Sequence, residues 1–197
     1  MWALIEDGSI TKIINNPRGM IIDDIQYSRK IFSLWSVAEK EAKGIYEVVF
    51  DNTNKKDGAY YNNTNQSFDF ADGVVTASYG SATANALADV TEEDDSITPG
   101  LKTKHKEIIK QQASSLLTPT DWYVIKATDV ESYSVPSAIT TYRANVRTKS
   151  NEMEVLIDAC STVDELATLY QYVNTGTEEE PVMERPLGEF PEAVLCP

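Results

Sequence analysis

The chain is poor in histidine, cysteine and basic residues, and these shortages exclude several kinds of site. His105 is the only histidine, so there is no second candidate for the base of a serine or cysteine catalytic triad. Cys160 and Cys196 are the only cysteines, which excludes a disulfide framework and, with one histidine, the four ligands of a structural zinc ion. We therefore expect no metal site and no cofactor.

Closely spaced glycines are also missing. The nine glycines are scattered through predicted turns, so the sequence offers no phosphate-binding loop. The stretch DNTNKKDG (51–58) resembles the start of a calcium-binding EF-hand loop, but its glycine stands at the wrong position and no glutamate closes the loop. Neighbouring carboxylates, as at Asp23 and Asp24, lie in predicted turns where water solvates them, and glycosidase chemistry is the remaining enzymatic alternative. We predict a chain without catalytic residues, which is not an enzyme.

Positive charge is the third shortage. Only 17 lysine and arginine residues stand against 31 aspartate and glutamate residues, giving a net charge of -14 at pH 7. Such a chain repels phosphate backbones and anionic lipid surfaces. The N-terminal MWALIEDGSI lacks the segments of a secretory signal, and no apolar run approaches the roughly 20 residues that a membrane helix needs. We expect neither nucleic acid nor a membrane as partner, and we expect a reducing compartment.

The first half of the chain has the pattern of a small β-rich domain. Asp7–Gly8 and Asp72–Gly73 each stand between runs of β-branched and aromatic residues, which is a strong signal of a β-hairpin. Ser36 and Glu39 form a capping box before a short predicted helix. The stretch IYEVVF (45–50) is typical of a buried strand. These features predict a small antiparallel β-rich domain over residues 1–90.

A helical half follows after a break in the pattern. TEEDDSITPG (91–100) joins an acidic run to a Pro-Gly pair and predicts a linker. Apolar residues then recur every three or four positions over 101–174, which predicts a helical hairpin or bundle. Residues 175–197 are acidic, carry four prolines and have no period, so an extended acidic tail is predicted. The predicted fold class is therefore α+β.

One aromatic-rich segment of the helical half carries its predicted core. Trp122 and Ile125 are predicted to be buried, with Trp122 in the groove between two antiparallel helices. Pro136 suits the start of the next helix. On that helix, Ile139 and Tyr142 begin an apolar stripe. Trp122 and Tyr142 could instead stack on sugars or bases, but their positions on apolar faces favour the core.

Four residues are candidates for contacts with a partner protein. Tyr60 and Tyr61 lie in a polar loop, where an exposed aromatic pair would suit a protein contact and pairing in an edge strand is an equally good explanation. Arg143 and Arg147 are predicted to face outward, toward acidic groups of a partner or of the chain's own surface. His105 lies on the apolar stripe of the first helix, which favours a helix-flank role over that of a ligand or base.

The segment LLTPTDWYVIKATDVESYSVPSAITTYRANVR (116–147) resembles the helical segment of tail-fibre-associated and tail-fibre-assembly proteins of tailed bacteriophages, especially marine and cyanobacterial ones. The resemblance rests on a Thr-Asp-Trp helix, a polar turn, and then a proline, an aliphatic residue and a Tyr-Arg pair. The stretches MWALIEDGSITKII and IFSLWSVAEKEAKGIYEV look like the small β-rich opening of such tail proteins.

This resemblance implies a non-enzymatic structural protein of the virion. It would be a tail or baseplate component, or an adaptor that connects tail and tail fibre, made in the host cytoplasm. The alternative is a non-virion chaperone that holds a fibre until it trimerises. The expected partners are other tail or fibre proteins, and a homo-oligomer related to a trimer or hexamer is a further expectation.

Overall fold

A computed structural model describes residues 1–64 and 66–194 of the chain. The chain divides into two compact units, Met1–Thr83 and Ala84–Pro197. A sheet forms most of the first unit, and helices form most of the second. The predicted mixed α+β class is therefore confirmed.

The first unit contains eight strands and two short helices. In chain order they are β1 (Trp2–Glu6), β2 (Ser9–Ile14), β3 (Met20–Ile22), β4 (Ile25–Tyr27), α1 (Ile31–Leu34), α2 (Val37–Glu41), β5 (Ile45–Asp51), β6 (Tyr61–Asn62), β7 (Gln66–Ala71) and β8 (Val74–Tyr79).

Five of these strands form one curled sheet, in the order β2-β1-β5-β8-β7. The outer strands β2 and β7 approach each other. Asp7 and Gly8 turn the β1–β2 hairpin, and Asp72 and Gly73 turn the β7–β8 hairpin, all with positive φ. Both predicted hairpins are confirmed, and so is the Ser36–Glu39 capping box at the start of α2.

One strand pair departs from the antiparallel arrangement that the sequence predicts. β5 and β8 run parallel, whereas the other neighbours in the sheet are antiparallel. A parallel pair needs a long connection between its strands. The stretch between β5 and β8 supplies this length and includes β7, so the hairpin returns its second strand alongside β5.

The sheet has an apolar cluster on each face, because successive residues of a strand point to opposite sides. One cluster, under β3, β4 and α1, contains Leu4, Ile14, Met20, Ile22, Ile31, Phe32 and Ile45. The other contains Ala3, Val48, Val75 and Ala77. Ala3 and Leu4 are neighbours in β1 and belong to opposite clusters, as strand geometry requires.

The second unit contains the long helices. After β9 (Thr83–Ala84), which straddles the division, come β10 (Val90–Thr91), β11 (Ile97–Thr98), α3 (Leu101–Leu117), a 3₁₀ turn (Thr118–Thr120), α4 (Asp121–Asp129), α5 (Ser137–Ala159), α6 (Val163–Thr168), β12 (Val173–Asn174) and β13 (Met183–Glu184).

The linker predicted at 91–100 is instead part of the second unit. β10 pairs antiparallel with β11, and residues 92–96 turn between them. The start of α3 is hydrogen-bonded to the residues that precede this pair of strands. The backbone N–H of Gly100, the N-cap of α3, donates to Asp89 Oδ1 over 2.8 Å. The backbone N–H of Leu101 donates in turn to the Ala86 carbonyl. The division of the chain therefore falls earlier than the linker, after Thr83.

Antiparallel packing of α3 against α5 forms the body of the second unit. Lysines that α3 presents at four-residue spacing reach across to α5. Lys106 Nζ lies 2.8 Å from Asp158 Oδ1, and Lys110 Nζ lies 3.3 Å from Glu154 Oε2. At the other end of the pair, the hydroxyl of Tyr142 donates to the Leu116 carbonyl over 3.3 Å.

The C-terminal stretch is not the extended tail that the sequence predicts. Leu187 is fully buried, and its backbone N–H donates to the Leu169 carbonyl over 3.0 Å. Phe190 and Val194 pack against the cluster formed by Ala113, Tyr142 and Val146. Isolated apolar residues between prolines show no periodicity, yet here they pack against residues of α3 and α5. Residues 195–197, which include Cys196, lie outside the described part of the chain.

Candidate functional site

Residues 116–147 form a corner between α3 and α5. Arg143, near the start of α5, fixes this corner from one side. Its Nη1 donates to the Leu117 carbonyl over 3.0 Å and to Thr120 Oγ1 over 2.6 Å, and lies 2.8 Å from Asp121 Oδ1. The carbonyl at the end of α3 and the carboxylate at the start of α4 are thus held by one guanidinium.

Arg143 is therefore a structural residue of the corner. Only 11% of its side chain is exposed, and its ion pair with Asp121 lies within the unit. Of the two alternatives left open by the sequence, the chain's own surface is the one that the structure shows. The prediction of an outward, partner-facing side chain is wrong for Arg143.

The start of α5 agrees with the pattern in its sequence. Ile139 and Tyr142 are buried, as predicted, and their stripe continues through the buried residues Val146, Met153 and Ile157. Pro136 immediately precedes the helix, as predicted, but its side chain is exposed and does not belong to the core.

Trp122 and Ile125 are the clearest corrections. Their side chains are 48% and 60% exposed, so the prediction that they are core residues is wrong. Tyr123 occupies the inward position instead and is buried. Positions 122–125 are all apolar or aromatic, so the pattern in this short helix does not determine which side turns inward.

The outward side of α4 has a regular composition. Trp122, Ile125, Lys126 and Asp129 follow the i, i+3, i+4, i+7 spacing of one helix face, and all four are exposed. We call these four residues the α4 outer face. The ring of Trp122 stacks on that of Tyr123 with centroids 3.8 Å apart, which anchors an exposed indole to a buried ring. The spacing of this face can be read from the sequence, but its direction cannot.

A groove of about 530 Å³ runs beside the corner, between α3 and α5. Its charged lining consists of Lys110, Asp121, Arg143, Arg147 and Glu154. Sequence reasoning identified both arginines but missed the other three residues, because ion pairs between distant segments leave no local pattern.

Arg147 is exposed, in agreement with its prediction as an outward residue. Its Nη1 donates to the Arg143 carbonyl over 3.4 Å, which places it one helical turn along α5 from the corner. The structure thus brings both predicted arginines to one groove.

Tyr60 and Tyr61, the predicted contacts of the first unit, do not form an exposed pair. Tyr60 is only 9% exposed, and burial raises the pKa of its hydroxyl. Tyr61 is half-buried and begins β6, and Lys56 Nζ lies 4.3 Å from the centre of its ring. The edge-strand alternative therefore describes Tyr61 alone, because Tyr60 lies in the turn before β6. The prediction of exposed contacts is wrong for Tyr60.

The histidine and the one cysteine among the described residues are partly or fully buried. His105 packs against the ring of Tyr170, with centroids 4.8 Å apart, and burial lowers its pKa, which opposes protonation of the imidazole. Burial raises the pKa of the Cys160 thiol, which opposes formation of a nucleophilic thiolate. Within residues 1–64 and 66–194, no cluster of three or more histidine, cysteine or acidic residues is arranged to hold a metal ion. Over the same residues, no helix has the length and apolar character to cross a membrane.

Comparison with known proteins gives no relative from which the role of these surfaces could be inferred. No family model, no curated protein and no solved structure matches this chain.

Proposed function

We propose that this chain is a non-enzymatic structural protein of a tailed-phage virion, a tail or baseplate component that connects the tail to a tail fibre. The proposal starts from the resemblance of residues 116–147 to phage tail-fibre-associated proteins. The observation that carries it is the exposure of the α4 outer face, which lies within that segment. A partner protein docks there and covers Trp122 and Ile125.

The energetics of the α4 outer face suit protein binding. Complete burial of one large apolar side chain contributes about 1.5–3 kcal/mol. Tryptophan is enriched among the few interface residues that dominate binding energy. Arg143 and Tyr123 hold α4 in place before a partner arrives, so little ordering entropy opposes association.

The division into two units supports an adaptor. Each unit has buried apolar residues of its own, so each is able to bind a different neighbour. In this proposal the partners are other tail or fibre proteins, and copies of the chain follow the three-fold or six-fold symmetry of the tail. The protein is made in the host cytoplasm and ends in the virion tail.

An assembly chaperone is the second candidate. The α4 outer face is already exposed in the chain alone, the state in which a chaperone meets its client. The high negative charge keeps such a chain soluble while an apolar helix face remains exposed. A chaperone leaves the fibre once it has trimerised and is absent from the particle.

Quantitative mass spectrometry of density-purified phage particles tests the proposal. A virion adaptor is expected in the particles, in a copy number that is a multiple of three or six. Absence from particles together with abundance in the infected lysate would overturn the virion role in favour of the chaperone. Absence from both, while the gene is transcribed, would contradict both candidates.

A further inference from the structure

The groove between α3 and α5 is lined by more basic than acidic residues, although the second unit as a whole is acidic. Residues 84–197 hold 20 of the 31 acidic residues of the chain but only 9 of its 17 basic residues. The charged lining of the groove is the opposite, with Lys110, Arg143 and Arg147 against Asp121 and Glu154. A concave site with a local excess of positive charge attracts an anionic group.

The pairing within the groove singles out Arg147. Lys110 is paired with Glu154, and Arg143 is paired with Asp121. Arg147 meets no carboxylate among the described residues, and its Nη1 donates to the Arg143 carbonyl over a long 3.4 Å. A guanidinium carries five N–H donors in a planar fork, so Arg147 retains donors for bidentate binding of a carboxylate.

The rest of the lining favours an acidic side chain of a protein over a polyanion. Ser114, Ser150 and Asn151 offer hydroxyl and amide groups, and Ala113 and Leu117 add apolar surface. This mixture is typical of protein interfaces. The net charge of -14 repels a ligand in proportion to the ligand's own charge, so a single carboxylate is opposed less than a phosphate chain.

We propose that this groove binds an aspartate or glutamate side chain of a partner protein, with Arg147 as the principal cation. Asp121 lines the groove and is followed in the chain by Trp122, so the groove and the α4 outer face meet at the start of α4. The inference rests on the proposed function, because it specifies the chemistry of the partner that the adaptor binds.

A peptide titration of the full-length chain tests the groove directly. The probe is a blocked peptide with one glutamate between leucines and alanines, and its control is the same peptide with glutamine. Amide chemical shifts of Ser114 and Asn151 are followed by NMR. We expect saturable shifts with the glutamate peptide and at least about tenfold weaker binding of the glutamine peptide, the loss typical of a missing charge-assisted hydrogen bond.

Two variants with the same change in net charge localise the effect. Arg147→Gln is expected to weaken binding of the glutamate peptide by about tenfold, because the principal cation is lost. Lys104→Gln, on the exposed side of α3 and outside the groove lining, is expected to leave the affinity unchanged. Equal binding of the two peptides, full binding by the Arg147 variant, or no binding at all would overturn the proposal.

Sodium acetate distinguishes a free carboxylate from a protein side chain. The glutamate peptide is expected to bind more tightly than acetate, since its leucines contact the apolar lining. Acetate binding as tight as that of the peptide would assign the groove to a small carboxylate and overturn the protein partner. The titration uses purified chain without phage particles, so its failure and the failure of the virion role are separate results.

Discussion

α4 and α5 are neighbouring helices of one unit, and they differ in how far their sequences determine their surroundings. α5 has 23 residues and buries its predicted stripe, including Ile139, Val146 and Ile157. α4 has nine residues and turns the predicted core residues Trp122 and Ile125 to solvent. A long helix repeats its apolar positions over several turns and so defines a face, whereas two and a half turns rich in apolar residues leave the face open.

The two helices also differ in whether their apolar residues are buried within the unit. The apolar stripe of α5 is buried inside the unit, where α5 packs against α3. In α4 only Tyr123 is buried, and the other large apolar side chains are exposed. Large apolar residues that do not serve the core of their own unit are the ones available to a partner.

The largest expected effect is the difference in unfolding free energy between two truncations, one isoleucine on α5 and one on α4. Ile157→Ala should lower the free energy of unfolding by about 2–5 kcal/mol, because it opens a cavity at a fully buried position. Ile125→Ala should change it by no more than about 0.5 kcal/mol, because the side chain is largely exposed. Urea unfolding followed by circular dichroism measures both. A cost for Ile125→Ala that matches Ile157→Ala would show that α4 is buried like α5.

The next largest expected effect is the difference in unfolding free energy between variants of two arginines on α5. Arg143→Gln should cost about 1.5–3 kcal/mol of unfolding free energy, because the variant loses charge-assisted bonds to Leu117, Thr120 and Asp121. Arg147→Gln, one turn further along and exposed, should cost no more than about 0.5 kcal/mol. The same unfolding experiment compares them. Equal losses of unfolding free energy would contradict the structural role of Arg143 in the corner and the availability of Arg147 to a partner.

The smallest expected effect is a pH dependence in the packed body of the unit. Burial lowers the pKa of His105 in the folded chain, so below about pH 6.5 the unfolded chain binds more protons than the folded chain. The free energy of unfolding should therefore be highest above about pH 6.5 and decrease slightly as the pH falls toward about 5. His105→Gln should abolish this decrease, since the chain has no other histidine to titrate in that range. An identical pH profile for the variant would contradict the role of burial.

The sequence predicts best those features that depend on a few neighbouring residues. The Asp-Gly hairpins and the Ser36–Glu39 capping box are present as predicted, because their hydrogen bonds join residues close in the chain. The long stripe of α5 is predicted for a related reason, since its period repeats many times.

Features set by distant contacts are the ones that the sequence does not predict. Leu187 has no apolar neighbours in the chain, and its burial accompanies a backbone hydrogen bond to the distant Leu169. The parallel pairing of β5 with β8 depends on which strand of a hairpin returns to the sheet. For the candidate site, both arginines were identified from the sequence, but their separation into an anchor and an exposed cation depends on Asp121, a residue 22 positions away from Arg143.

Site-specific photo-crosslinking tests most directly whether the α4 outer face binds a partner. Benzoylphenylalanine is placed at position 125 in one variant and, as a matched control on an exposed helix position, at 104 in another. Both variants are produced in infected cells, irradiated and analysed by mass spectrometry. We expect position 125, and not position 104, to capture a tail or fibre protein. The account would be contradicted if position 125 captured nothing, or only the same proteins as position 104.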